Sequence, residues 1–95
     1  MTKQEVIKAI KEVVRDNGTR NINGHKHIMW EIGDFVKEVK LSKFRGGGLH
    51  YAEMNALTGE CYAGSIESVD GFTLATIYNE LMARAEYERY IGSIK

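Results

Sequence analysis

Apolar residues recur along this chain with two spacings, and the switch between them marks out its layout. From Thr2 to Asn17, the residues Val6, Ile7, Ile10, Val13 and Val14 fall three and four apart, the period of a helix with one buried stripe. Thr2 and Glu5 stand ahead of that stripe at capping-box spacing, where the hydroxyl takes the Glu5 amide and the carboxylate reaches back. Asn17-Gly18 supplies a stop that tolerates a left-handed backbone. A second stripe, Leu74, Ile77, Tyr78, Leu81, Met82, Ala85 and Tyr90, predicts a helix over 72–91 with Asp70 as its cap. Glu80 and Arg84, four apart, add a favourable pair on its surface.

Between these helices the alternation is every second residue. Ile28, Trp30 and Ile32 share one face of the run from Lys26 to Ile32. Five such runs between Arg20 and Val69 are separated by Asn23-Gly24, Gly33-Asp34, the glycines 46–48 and the segment 57–60. Asn23-Gly24 is the favoured type I′ hairpin dipeptide and pairs Ile22 with His25 and Thr19 with Ile28. Gly33-Asp34 fits a type II′ turn with glycine first, pairing Ile32 with Phe35 and Ile28 with Val39. Tight closure at Gly46 to Gly48 pairs Phe44 with Leu49. It sets Leu41 against Ala52, Val39 against Met54 and Lys40 against Glu53. Closure at Thr58-Gly59 brings Ala56 to Cys61 and Met54 to Ala63. Ile28, Ile32, Phe35, Val36 and Val39 also fit helical spacing, but Gly33-Asp34 and the β-branched content favour strands.

These elements predict a single α+β domain over 1–95. It is a two-layer sandwich in which an antiparallel five-stranded meander, within 19–69, carries an N-terminal helix (2–17) and a C-terminal helix (72–91) on one face. The predicted core face is Ile28, Trp30, Ile32, Phe35, Val39, Leu41, Ala52, Met54, Ala56, Cys61 and Ala63. The opposite face then holds Ile22, Met29, Val36, Phe44, Leu49, Tyr51, Tyr62 and Ile66, among Arg20, His25, His27, Lys40 and Glu53. A one-residue slip in any strand exchanges the two sets.

Composition adds bounds. The 95 residues are 43% hydrophobic and 27% charged, which is globular rather than disordered. Net charge is zero, but residues 19–50 hold six basic against three acidic groups and all three histidines, while 51–95 hold three against seven. That asymmetry reads first as scatter along a chain whose ends meet in space, and functionally as a basic surface on the early strands. Cys61 is the single cysteine, so an internal disulfide and a cysteine-only zinc site are both excluded. The polar start of the chain carries no apolar leader core, and no apolar run is long enough to cross a bilayer. These features suit a cytoplasmic setting.

Chemistry-bearing motifs are sparse. His25 and His27, two apart on a strand, share a face and are weak candidates for a metal pair, but no further ligands accompany them and no metal is expected. The run Phe44-Arg45-Gly46-Gly47-Gly48 offers backbone amides beside an arginine, but lacks the Lys-Ser/Thr of a phosphate-binding loop. Cys61 reads as a small buried apolar residue. Nucleophile elbows, zinc-protease motifs and dinucleotide fingerprints are missing from the sequence. No cofactor is expected and enzyme activity is not favoured.

The uncovered sheet face is the strongest functional feature. Phe44, Leu49, Tyr51, Tyr62, Ile66 and Met29 form its apolar surface, an arrangement that marks an interaction site. The expected function is therefore a non-enzymatic interaction module, working as a homodimer or with another protein and not at a membrane. The first alternative is single-stranded nucleic acid stacked on Tyr51 and Tyr62, with Lys40, Lys43 and Arg45 beside the phosphates, and the last is a small metal-dependent enzyme using His25 and His27.

Overall fold

A computed structural model gives the fold and describes residues 1–44 and 46–93. The order is α1 (Lys3–Asn17), β1 (Thr19–Arg20), β2 (Lys26–Ile32), β3 (Phe35–Leu41), β4 (Leu49–Asn55), β5 (Cys61–Ser65), a 3-10 turn (Ile66–Ser68) and α2 (Gly71–Ser93). The strands form one antiparallel sheet in the order β1-β2-β3-β4-β5. The helices pack against each other and on one side of the sheet, as the α+β sandwich requires.

Local signals fix the ends of the elements. Thr2 Oγ1 accepts from the Glu5 amide at 3.2 Å while Glu5 Oε1 accepts from the Thr2 amide at 3.1 Å, closing the capping box. Asp70 caps α2, accepting from the Thr73 amide at 2.8 Å and the Thr73 hydroxyl at 2.9 Å. The Gly18 stop differs from expectation. Its backbone is extended rather than left-handed, and its amide donates to Val14 as the chain runs straight into β1.

The hairpin at Gly33-Asp34 has the expected register. Gly33 sits at φ +58° with Asp34 on the ordinary side, the type II′ geometry, and Ile32 pairs with Phe35 and Ile28 with Val39. The other three turns close differently. Asn23-Gly24 belongs to a longer connection in which Asn21 bonds His25 and Thr19 pairs with His27, with Ile22 fully exposed at its tip. At the third hairpin the Ser42 amide bonds Gly48, so Leu41 pairs with Leu49 and Val39 with Tyr51. This is three residues away from the predicted pairing of Val39 with Met54. The last hairpin closes at Asn55 and Glu60 and pairs Met54 with Cys61, two residues from expectation.

An odd shift reverses a strand, and an even shift preserves its relation to its neighbour. The three-residue change therefore turns β4 over, and β5 with it. Leu49 (4% exposed) and Tyr51 (2%) enter the core, and Met54, Cys61 and Ala63 leave it. The physical reason is volume. The observed register buries a leucine and a tyrosine where the expected one would bury two alanines and a methionine, and each large side chain removed from water is worth about 1.5–3 kcal/mol. Opposite Tyr51 stands Gly64, where a side chain would run into the Tyr62 phenol and the Ser68 hydroxyl. The finished core joins Ile7, Ile10 and Val14 of α1 with Ile28, Trp30 and Val39, with Leu49 and Tyr51, and with Leu74, Ile77 and Leu81 of α2. Ile66, expected on the open face, is 1% exposed in the 3-10 turn and belongs to this core as well.

Candidate functional site

The observed pairings define the open face as a grid. Its first row is His27, Lys40, His50 and Ser65, its second Met29, Glu38, Ala52 and Ala63, and its third Glu31, Val36, Met54 and Cys61. Charge gathers in the first row and on β2 and β3. His27 Nδ1 lies 2.8 Å from Glu38 Oε2, a diagonal pair across those strands. The remainder, Met29, Val36, Ala52, Met54, Cys61 and Ala63, is apolar or small. Met29 and Met54 are 48% and 40% exposed.

The expected surface residues scatter. Met29 is on the open face. Leu49, Tyr51 and Ile66 are buried beneath the helices. Tyr62 is on the helix side of β5, partly exposed, with its hydroxyl 3.0 Å from Ser68 Oγ. Phe44 is in the loop after β3, where its ring meets His25 edge-on at 5.9 Å and lies under the Lys43 ammonium at 5.3 Å. Lys40 is in the first row of the open face, Lys43 is in the loop, and Arg45 lies outside the described residues. Cys61, expected in the core, is exposed on the open face.

His25 and His27 do not converge. The Lys43 amide donates to His25 Nδ1 at 2.9 Å, holding that ring against the loop, while His27 is engaged with Glu38. Among the described residues no group of three histidine, cysteine or acidic side chains is arranged to hold a metal, and no helix is long and apolar enough to cross a membrane.

Sequence reasoning missed the helix-side polar cluster. Trp30 and Lys37 are cross-strand partners beneath α2, and both meet Glu80 there: the indole N–H donates to Oε1 at 3.0 Å and the ammonium to the same atom at 2.8 Å. The alternation of β3 placed Lys37 on the core face, and that was the available signal. A polar cleft of about 270 Å³ lies further along, between Tyr51, Glu53, Tyr62, Asp70 and Thr73. Burial pushes the Tyr51 phenol well above its ordinary value, and the Glu53 carboxylate adds to this. The phenol is therefore a neutral hydrogen-bonding group and not a nucleophile at neutral pH.

No known protein family matches the chain, and no curated protein or solved structure shows significant similarity to it.

Proposed function

We propose that this chain is a non-enzymatic interaction module that works through the open face of its sheet, with a second copy of itself as the partner. The supporting observation is the contiguous block Met29, Val36, Ala52, Met54, Cys61 and Ala63, which both helices leave uncovered. Strands about 4.8 Å apart, with about 3.3 Å per residue, give four long strands a face of roughly 400 Å², of which this block covers about half. Its contiguity, rather than its size, supports a meeting surface. Two such faces bury less than a standard interface of about 1,600 Å², so the dimer is weak, with a Kd in the micromolar range.

The nucleic-acid reading has lost its stacking platform, because Tyr51 is buried and Tyr62 faces the helix side. The open face keeps Lys40 and two histidines but none of the tyrosines that reading used.

Sedimentation equilibrium tests the proposal. The wild-type chain shifts from monomer to dimer as its concentration rises through the micromolar range. Ala52→Lys, at the centre of the face, stays monomeric with an unchanged circular dichroism spectrum. A wild-type chain still monomeric at about 1 mM, the limit of weak association, overturns the proposal.

A further inference from the structure

We infer that the free edge of β2 is a docking site for an extended peptide strand of another protein, laid between that edge and α2. The hydrogen-bond inventory of the sheet carries the inference. Ile32 and Phe35 close a two-residue hairpin, so they exchange backbone hydrogen bonds, and every second pair along the ladder does the same. The even residues of β2 therefore bond β3. Their partners in β3 are the odd residues, which leaves the even ones for β4, and Ser42, directly after β3, bonds Gly48 on the β4 side, which agrees. The odd residues of β2 point the other way, and Asn21 bonding His25 confirms it.

On that side β1 is two residues long and pairs only with Lys26 and His27. Beyond it, Met29 and Glu31 direct both N–H and C=O outward, and among the described residues no backbone partner beyond β1 pairs with them. Two residues with both groups turned outward are a template for four backbone hydrogen bonds to an added strand.

α2 turns this edge into a groove. One cleft of about 310 Å³ lies between Ile28, Met29, Asn17 and Ala85, and another of about 450 Å³ between Trp30, Ile32, Glu80, Ala83 and Arg84. Both open beside the unpaired backbone. In a strand added here, the residues beside Met29 and Glu31 face outward, while those beside Trp30 and Ile32 point into the clefts. The matching ligand is therefore an extended segment with apolar side chains at alternate positions. A second copy fits less well, because its own α2 would enter the space that α2 flanks on the same side of the edge. The Arg84 side chain runs from α2 to that edge, lining a third cleft with Met29, Glu31 and Val36, and an added peptide strand displaces it.

The test is to pan a random heptapeptide library on phage against the biotinylated chain, then titrate the enriched sequence as a synthetic peptide. The expected peptides carry apolar residues at alternate positions and slow hydrogen exchange at the Met29 and Glu31 amides. Glu31→Pro removes an outward N–H without touching the ladder to β3 and weakens binding about tenfold, the loss expected for one hydrogen bond, while Glu31→Ala binds as wild type. The inference is overturned if no sequence is enriched or if the enriched peptide leaves both amides unprotected. Equal binding to a folded Glu31→Pro chain also overturns it. Should that variant not fold, amide protection in the wild-type chain decides. Protection that rises with concentration in the Ala52→Lys chain, without peptide, where the open face is blocked, assigns the edge to a second copy instead. The open-face dimer is read separately, by mass and by Ala52→Lys, so either proposal can fail alone.

Discussion

The Trp30 indole donates to Glu80 across the boundary between sheet and helix, tying β2 to the middle of α2 at 3.0 Å. Lys37 shares the same carboxylate oxygen, with both charged side chains largely shielded: 12% of Lys37 and 16% of Glu80 is exposed. Removing one partner strands the others in a poorly hydrated place. Glu80→Ala is expected to destabilise the fold by roughly 2–4 kcal/mol in urea unfolding. A double-mutant cycle with Lys37→Met should show coupling above about 1 kcal/mol. Additive effects would mean that the two groups do not depend on each other.

The reversed β4 gives two neighbouring residues opposite sensitivities. Tyr51 is in the core beside Tyr62, with ring centroids 6.3 Å apart, and Met54 is on the open face. Tyr51→Ala is expected to cost about 3–5 kcal/mol, as for a large aromatic removed from a packed core. Met54→Ala should cost less than about 1 kcal/mol. Chemical denaturation of the two variants side by side checks the register, because pairing Val39 with Met54 predicts the reverse ranking.

Asp70 gives α2 a pH dependence. The Thr73 amide and then its hydroxyl hold the Asp70 carboxyl below its ordinary value. A group with a depressed folded-state pKa stabilises the fold above its unfolded value, near 4, and that contribution disappears as pH falls through the folded value. Wild type should therefore exceed Asp70→Ala in stability at neutral pH, with the gap closing in acid. Thermal melts of both chains at neutral and acidic pH measure the gap. A gap that is constant or grows in acid contradicts the cap.

The sequence made some of these elements plain and hid others for identifiable reasons. The capping box at Thr2 and Glu5, the α2 stripe from Leu74 to Ala85 and the Gly33-Asp34 hairpin rest on short-range rules, and all three stand in the structure, while Tyr90, counted in that stripe, is 62% exposed. The β3–β4 hairpin failed because glycines 46–48 permit several closing points, and tight closure at Phe44 was one choice among them. The structure closes at Ser42, leaving Lys43 and Phe44 in the loop with His25. Favouring Leu49 and Tyr51 for the core by size would have selected that register. The architecture survived the error because a meander has the same strand order in either register. The surface did not survive it, because every residue of β4 and β5 changed sides. The edge of β2 was hidden because its exposure depends on where β1 stops, and neither Asn23-Gly24 nor the polar run 19–22 fixes that point.

Cys61 reports directly on the open face. It is exposed there, and Val36, Met54 and Cys61 form one row across β3, β4 and β5. The most direct measurement is the rate at which a thiol-specific chromogenic disulfide modifies this single native cysteine, followed as the chain concentration is raised. Fast modification in dilute, folded protein that slows as copies associate is the predicted result. A thiol that reacts only on unfolding contradicts the placement of β5, and a rate that never changes with concentration contradicts the open face as the meeting surface.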